Sequence, residues 1–159
     1  MMNLAYLSLG SNIGDREAQL REAIRRLDGI GQVRKISSLY ETEPVEFTQQ
    51  ALFLNCAVVL ETSLAARELM SRLLEIERTL GRERVQKKGP RTIDIDILLL
   101  GDLVVNSSQV TIPHPAMAER RFVLEPLGEI APEAVHPVLQ KTVRELLAEL
   151  PPGQNVWKL

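Results

Sequence analysis

Residues 89–98 have the sequence GPRTIDIDIL, and this stretch predicts the strand around which the chain is organised. Isoleucine alternates with aspartate from Ile93 to Ile97. A period of two with β-branched residues is typical of a β-strand. Side chains two residues apart share a face, with Cα atoms about 6.6 Å apart. The isoleucines are therefore expected to face a core, while Asp94 and Asp96 stand together on the opposite face.

The two carboxylates lie directly after a basic stretch, which suggests a site for a metal ion and phosphates. Five basic residues precede the aspartates, and Glu83 is the one acidic residue among them. The basic residues are Arg82, Arg84, Lys87, Lys88 and Arg91. Paired oxygen ligands beside a cationic loop suit Mg²⁺ and a polyphosphate. The alternative interpretation is an exposed strand face beside a solvated basic loop. The rigid Gly-Pro start and the basic loop together favour the metal site.

Length and composition indicate one soluble globular domain over residues 1–159. With 45% hydrophobic and 25% charged residues, the chain has an ordinary composition and is long enough to bury roughly two-thirds of its unfolded surface. A net charge of −2 gives no reason to expect non-specific binding to nucleic acid or membranes. The single cysteine, Cys56, rules out an internal disulfide and is interpreted as a small core residue. The first ten residues carry no secretion signal, so a cytoplasmic location is expected.

The order of predicted elements indicates a ferredoxin-like α+β fold. Strands are predicted near residues 4–9, 33–40, 53–62 and 93–100, with a helix from an Asn12 cap to Asp28 and another from Ser63 to Leu80. Strand, helix, strand, strand, helix, strand is the ferredoxin-like order. Its antiparallel sheet is expected to carry helices on one face and to leave the other free for a site.

The C-terminal third predicts smaller elements. Residues 103–105 and 110–112 are expected to pair as a hairpin. The segment around Pro126, Pro132 and Pro137 is interpreted as mostly irregular. Thr142 and Glu145 fit a capping box at the start of a last helix, which the following proline pair ends.

Several side chains outside the acidic strand are candidates for ligand binding. No Walker or G-x-G-x-x-G motif is present, so phosphates would be held by side chains such as the planar guanidinium of Arg91. His114, between two prolines, is either structural or, with Arg120 nearby, a phosphate contact. Phe53 and Asn55 would share a strand face and suit a flat heterocycle, although core packing is the usual role of phenylalanine.

Taken together, these motifs resemble the 6-hydroxymethyl-7,8-dihydropterin pyrophosphokinases of folate biosynthesis. The matching segments are Leu9-Gly10-Ser11-Asn12, Ser37-Ser38-Leu39-Tyr40-Glu41-Thr42, Phe53-Leu54-Asn55, Glu75-Ile76-Glu77, Gly81-Arg82, Gly89 to Asp96, Ile112-Pro113-His114-Pro115 and Arg120 to Leu127. The resemblance implies the ferredoxin-like fold and transfer of diphosphate from ATP to the pterin hydroxymethyl group, with release of AMP. Two positions differ from the family pattern, namely Lys88 before the Gly-Pro pair and Pro115 after the histidine.

The resemblance also implies roles for individual residues. Asp94 and Asp96 would hold two Mg²⁺ ions that bridge the ATP phosphates, while Arg82 and Arg91 would assist the transfer. The residues implied to contact ATP are Glu77, Arg84, Lys87, Ile97, Thr111, His114 and Arg120. The residues implied to bind the pterin, with Phe53 and Phe122 on its two ring faces, are Thr42, Pro44, Val45, Phe53, Asn55 and Phe122. Family members are commonly monomers.

Two other classes of function remain as alternatives. A non-catalytic ferredoxin-like module that binds a nucleotide to regulate a partner would explain the fold and the basic loop, but would not require both aspartates. A nucleic-acid-binding module is disfavoured because the chain is slightly acidic and has few aromatic residues.

Overall fold

The computed structural model of the chain describes residues 2–43, 52–81 and 93–159. Its strands are β1 Asn3–Ser11, β2 Gln32–Ile36, β3 Tyr40–Thr42, β4 Phe53–Thr62, β5 Asp94–Leu100, β6 Val105–Asn106, β7 Thr111–Ile112, β8 Val135–His136, β9 Lys141–Thr142 and β10 Val156–Lys158. Its helices are α1 Arg16–Leu27, α2 Ala66–Thr79, α3 Arg121–Ile130 and α4 Val143–Glu149, with a 3-10 turn at Met117–Glu119.

An antiparallel sheet with the strand order β10-β3-β4-β1-β5 forms the centre of the fold. The strand β2 also pairs with β4, along residues 58–61, whereas β3 pairs with residues 53–55 of the same strand. The segment predicted as one strand over residues 33–40 is thus two short strands, β2 and β3, separated by residues 37–39. With α1 after β1 and α2 after β4, the arrangement confirms the predicted ferredoxin-like α+β fold.

The helices α1 and α2 pack on one face of the sheet and form the larger core with it. The isoleucines of β5 lie in this core, with Ile95 4% and Ile97 2% exposed. This confirms the prediction that the isoleucines face the core. The helix residues Leu20, Leu27, Leu69 and Leu73 pack against the same strands, at the spacing expected for amphipathic helices. Burial of these side chains stabilises the fold by about 25 cal/mol per Å² of apolar surface removed from water.

The second face of the sheet is covered in part, so the prediction that this face is entirely free is wrong. The helices α3 and α4 pack against Ala57, Leu98 and Leu99 and form a second core. Because α3 and α4 follow the ferredoxin-like unit in sequence, that pattern alone did not anticipate the layer. Among the described residues, this second core does not extend to Asn55 or to the N-terminal end of β5.

Three helix starts or segments differ from the sequence prediction. The residue that caps α1 is Asp15, whose Oδ1 accepts a hydrogen bond from the backbone N of Ala18 at 3.1 Å; Asn12 is buried before the helix. The helix α2 starts at Ala66 rather than near Ser63. The segment predicted as irregular contains α3, with Pro126 inside it. Pro126 lacks a backbone donor, which disfavours a helix. The helix α3 nevertheless forms because its apolar residues are buried in the second core.

The remaining C-terminal elements agree with the sequence except for the last one. The strands β6 and β7 pair as the predicted hairpin. The capping box of α4 is present, with Thr142 Oγ1 accepting from Glu145 N at 3.1 Å and Glu145 Oε1 accepting from Thr142 N at 2.9 Å. The strand β10, which pairs with β3, was not predicted. It joins the end of the chain to the edge of the central sheet.

Cys56 is expected to resist alkylation in the folded protein. It is 1% exposed, and burial raises the pKa of its thiol to about 12, so the reactive thiolate is scarce at neutral pH. Iodoacetamide at pH 8 should therefore modify Cys56 far more slowly in buffer than in denaturant, as followed by mass spectrometry. Equal rates in the two conditions would contradict the placement of this thiol in the core.

Candidate active site

Strand pairing brings the candidate residues of β4 and β5 onto the same face, on either side of β1. Gly10 lies opposite Asn55 on one side and opposite Asp94 on the other. Two residues earlier, Ser8 lies opposite Asp96. Directly opposed residues in antiparallel strands point to the same face, and so do residues two apart in one strand. Two strand spacings of about 4.8 Å place the backbones at Asn55 and Asp94 roughly 10 Å apart.

Asn55 presents an oriented amide on this face. It is 4% exposed, and its Nδ2 donates to Thr42 Oγ1 at 2.6 Å. The neighbouring residue opposite Thr42 is Phe53, which is half-buried. An amide offers both donors and an acceptor, so a tethered asparagine beside an aromatic ring suits the polar edge and flat face of a heterocycle. The structure therefore brings Thr42, Phe53 and Asn55 together, and their contact with the pterin stays a prediction.

Gly10 allows Asn55 to lie close to the backbone of β1. An ideal Cβ on residue 10 would be 2.5 Å from Oδ1 of Asn55 and 3.6 Å from Cδ1 of Phe53. The first distance is shorter than real Cβ atoms tolerate, so any larger residue would displace the amide. Gly10 belongs to a motif noted in the sequence, but no role was assigned to it. A glycine within a strand is often a sign of such a close approach.

Gly10→Ala is expected to lower the free energy of unfolding by about 1–3 kcal/mol, the usual cost of overpacking. In an Asn55→Ala background the obstructing oxygen is absent, so most of this cost should disappear. Urea unfolding of the two single variants and the double variant measures the difference. Gly153→Ala is the matched control, because no described atom lies within 4 Å of its ideal Cβ. Equal costs in both backgrounds would contradict the steric argument.

Glu77 of α2 anchors the acidic strand between its two aspartates. It is 2% exposed, and its Oε2 accepts a hydrogen bond from the backbone N of Ile95 at 2.7 Å. Glu77 therefore holds β5 directly, rather than only lining a pocket.

The side chain of Ile97 is buried in the core. Its predicted contact with ATP would therefore have to be made by its main chain.

An irregularity in β5 brings His114 to the acidic residues. Tyr6 lies opposite Leu99 and Leu7 opposite Ile97, so Leu98 is an extra residue, as in a β-bulge. The carbonyl of Leu98 accepts a hydrogen bond from His114 N at 2.9 Å. In consequence, Nε2 of His114 lies 4.0 Å from Oδ2 of Asp96. Sequence patterns gave no sign of this irregularity.

The environment of His114 favours its neutral form. Burial, followed by the positive charge of Arg120, lowers the pKa of His114, while Asp94 has a smaller effect in the opposite direction. Nδ1 accepts a hydrogen bond from Ala116 N at 3.1 Å. In the neutral ring the proton is then on Nε2, the nitrogen on the side of Asp96. His114 is thus placed as a neutral donor beside the acidic pair.

Arg120 and Phe122 lie together at the start of α3. The guanidinium carbon of Arg120 is 5.5 Å from the centroid of the Phe122 ring, within the range of a cation–π contact. Both side chains are half-buried. Thr111, on β7, is also half-buried, and its Oγ1 lies 3.4 Å from Oδ1 of Asn106. Arg120 contributes to lowering the pKa of His114, and His114 lies beside Asp96 of the acidic strand.

Six predicted site residues lie outside the described residues. They are Pro44, Val45, Arg82, Arg84, Lys87 and Arg91. The predicted roles of the basic residues and of the loop after Thr42 therefore stay predictions.

The acidic pair consists of carboxylates, which are side chains of the kind that bind Mg²⁺. Within residues 2–43, 52–81 and 93–159, no group of three or more His, Cys, Asp or Glu side chains is placed to hold a metal. Mg²⁺ commonly takes one or two protein carboxylates together with waters and substrate phosphates, rather than a complete protein cage. Two aspartates on one face, with Asp96 36% exposed at its side chain, fit that pattern.

Comparison with known proteins identifies the family. The family model for 7,8-dihydro-6-hydroxymethylpterin-pyrophosphokinase (HPPK) matches residues 6–132. A Bacillus subtilis protein named 2-amino-4-hydroxy-6-hydroxymethyldihydropteridine pyrophosphokinase is 50% identical, over 99% of this chain and 92% of its own length. An Aquifex aeolicus protein of the same name is 40% identical, over 93% of this chain and 92% of its own.

Longer proteins contain a similar region. The Dictyostelium discoideum folic acid synthesis protein FOL1 is 38% identical over 99% of this chain, which spans 24% of that protein. Among solved structures, Plasmodium falciparum HPPK-DHPS with pteroate superposes with a TM-score of 0.73 over 94% of this chain and 42% of its own, at 18% identity. At that identity the superposition supports the fold alone. With the family model over most of the chain and full-length relatives at 40–50% identity, the chain belongs to the 7,8-dihydro-6-hydroxymethylpterin-pyrophosphokinase family.

Proposed function

We propose that the end of the sheet around Asn55 and Asp94 is the active site of this pyrophosphokinase. The family's reaction, in folate biosynthesis, transfers the diphosphate of ATP to the hydroxymethyl group of 6-hydroxymethyl-7,8-dihydropterin. The hydroxyl oxygen of the pterin bonds to the β-phosphorus of ATP, the bond between that phosphorus and the oxygen bridging to the α-phosphate breaks, and AMP leaves. The hydroxyl proton is lost in the same process.

One observation carries this assignment: Asn55 and Asp94 flank Gly10 in a single row across three strands. One end of the row offers an amide for a heterocycle, and the other offers carboxylates for a metal ion with phosphates. Their backbones are roughly 10 Å apart, so a ring held at Asn55 and a phosphate chain held at Asp94 would meet over β1. Such positioning supplies much of the rate acceleration in phosphoryl-type transfer.

The pterin side of the proposed site consists of Phe53, Asn55 and Phe122 together with the backbone near Thr42. The tethered amide of Asn55 would pair with the polar edge of the ring, while Phe53 and Phe122 would stack on its faces. Pro44 and Val45 are proposed to extend this side. A fixed amide discriminates strongly, because a ligand without matching groups leaves it unpaired.

The metal and phosphate side consists of Asp94 and Asp96, which would hold Mg²⁺, with two ions proposed. When bound, Mg²⁺ neutralises the phosphate oxygens and orients the diphosphate for in-line transfer. Glu77 positions this strand through Ile95 N, and Ile97 would contact ATP through its main chain. His114 would donate from Nε2 to a phosphate oxygen, and Arg120 would add positive charge nearby.

Residues outside the acidic strand are proposed to complete the ATP site. Thr111 would line the nucleotide pocket. From their positions in the family motifs, Arg82 and Arg91 are proposed to stabilise charge during the transfer. Arg84 and Lys87 are proposed to bind the phosphates of ATP. Arginine suits this role because its planar fork matches phosphate oxygens.

Pterin-dependent formation of AMP tests the proposed function. The protein is incubated with ATP and Mg²⁺, with and without 6-hydroxymethyl-7,8-dihydropterin, and nucleotides are quantified by chromatography. AMP and the pterin diphosphate should form in equal amounts, stop with EDTA and resume with excess Mg²⁺. 6-Methyl-7,8-dihydropterin, which lacks the accepting hydroxyl, is the matched control. Binding of both substrates without any AMP would support the non-catalytic ligand-binding module.

We further propose that residues 1–159 form a single domain that acts as a cytoplasmic monomer. No helix in the described part of the chain is long and apolar enough to cross a membrane. Light scattering after gel filtration should give a mass near the 17.8 kDa of one chain. A mass of twice that value would contradict the monomer.

A further inference from the structure

The last ten residues form a strap that returns to the proposed pterin site. This C-terminal strap (residues 150–159) leaves α4, and its strand β10 adds to the sheet beside β3, with Val156 opposite Thr42. Leu159 N also donates to the carbonyl of Leu39 at 2.9 Å. The family model ends at residue 132, so the strap lies outside the residues that this model matches.

The side-chain amide of Gln154 connects two parts of the pterin site. Its Oε1 accepts a hydrogen bond from Phe122 N at 3.2 Å, and its Nε2 donates to the carbonyl of Glu43 at 3.3 Å. Phe122 N is in the first turn of α3, where backbone donors have no partner within the helix. Glu43 directly follows Thr42, the residue that tethers Asn55. A single planar amide thus spans both groups.

Neighbouring contacts reinforce this connection. The carboxylate of Glu43 accepts hydrogen bonds from Nδ2 of Asn155 at 2.9 Å and from Asn155 N at 3.4 Å. On the helix side, Arg121 donates to the carbonyls of Leu150 and Pro151, at 3.5 and 3.3 Å. The strap therefore holds the backbone after β3 and the start of α3 at the same time. Gln154 forms hydrogen bonds to both segments through its own side chain.

We propose that Gln154 is a positioning residue that sets the separation between Phe122 and the backbone at Thr42 and Glu43, and thereby the affinity for the pterin. The inference rests on the proposed assignment of Phe122 and Thr42 to the pterin site. Gln154 need not touch the substrate. It would determine whether the aromatic ring on α3 and the amide tethered to β3 are correctly spaced for one flat ligand.

The test compares Gln154→Ala and Gln154→Met in the full chain. Methionine keeps the length of glutamine but neither donates nor accepts strongly, so both variants lose the two hydrogen bonds. Each should raise KM for the pterin on the order of tenfold, as expected for two neutral hydrogen bonds. KM for ATP and kcat at saturating pterin should stay near the parent values. The thermal unfolding midpoint should fall by only a few degrees, because the two hydrogen bonds also stabilise the fold. Gln32→Ala, an exposed glutamine of β2, is the matched control.

Three results would overturn the inference. The first is an unchanged KM for the pterin in both variants. The second is a parent-like value in Gln154→Met alone, which would show that side-chain volume matters rather than the hydrogen bonds. The third is an equal rise in KM for ATP and the pterin, which would indicate general destabilisation.

Phe122→Ala separates this inference from the site assignment beneath it. If Phe122→Ala weakens pterin binding and the Gln154 variants do not, the positioning role fails while the proposed site stands. If Phe122→Ala leaves pterin binding intact, the site assignment fails and the role of Gln154 falls with it.

Discussion

Asp96→Asn is expected to lower kcat by about 10³-fold or more without unfolding the protein. A metal ion held at this position contributes several kcal/mol of charge stabilisation, and each 1.4 kcal/mol is a factor of ten in rate. Asparagine keeps the shape of the side chain but removes the charge that is proposed to bind Mg²⁺. Asp94→Asn should behave similarly. The measurement is AMP formation over a range of Mg²⁺ concentrations, beside the free energy of unfolding without metal.

The pattern of losses distinguishes a metal ligand from a structural residue. The unfolding free energy should change by less than about 1 kcal/mol, since substitutions at partly exposed positions are usually mild. Asp102→Asn, an exposed aspartate in the turn after β5, should retain parent activity and serves as the control. Parent-like activity of Asp96→Asn at ordinary Mg²⁺ would remove Asp96 from the proposed metal site.

Asn55→Ala is expected to weaken pterin binding by on the order of 100-fold while leaving ATP binding nearly unchanged. The substitution removes the donor and acceptor proposed to pair with the pterin edge, and sites built on such pairs lose affinity steeply without them. Asn55 is on β4, on the other side of β1 from the acidic strand, so the phosphate side should be little affected. Calorimetric titration with each substrate measures both affinities.

Thr42→Val is the companion variant, because it removes the acceptor of the 2.6 Å bond while keeping the Asn55 amide. It should weaken pterin binding less than Asn55→Ala does. Losses of equal size for ATP and the pterin in Asn55→Ala would point to misfolding instead of a recognition role. An Asn55→Ala variant with parent affinity for the pterin would remove this residue from the proposed site.

The two sides of the proposed site depend on different kinds of support. The amide of Asn55 depends on close approach to Gly10 and on its bond to Thr42. The acidic strand is held by the buried Glu77 and receives His114 through the extra residue Leu98. Substitutions that disturb one support should therefore affect mainly one substrate. Separate measurements for ATP and the pterin are consequently more informative than activity alone.

Sequence patterns by themselves determined much of the central fold of this protein. The bounds of β4, Phe53–Thr62, agree with the predicted strand, and the isoleucines of β5 face the core as their alternation indicated. The capping box at Thr142 is present, and Cys56 is buried. These features depend on a period of two or on contacts within one helical turn, so neighbouring residues carry the necessary information.

Only the tertiary structure decided the features that join distant segments. The helix α3 forms despite Pro126 because its apolar side chains are buried against the sheet. The bulge at Leu98, the approach of Asn55 to Gly10 and the return of Gln154 to Phe122 each depend on pairings between segments far apart in the chain. Local propensity does not encode such pairings, since their free energy arises when the segments meet. The chain's motifs thus indicated the chemistry, and long-range packing decided the geometry in which it would take place.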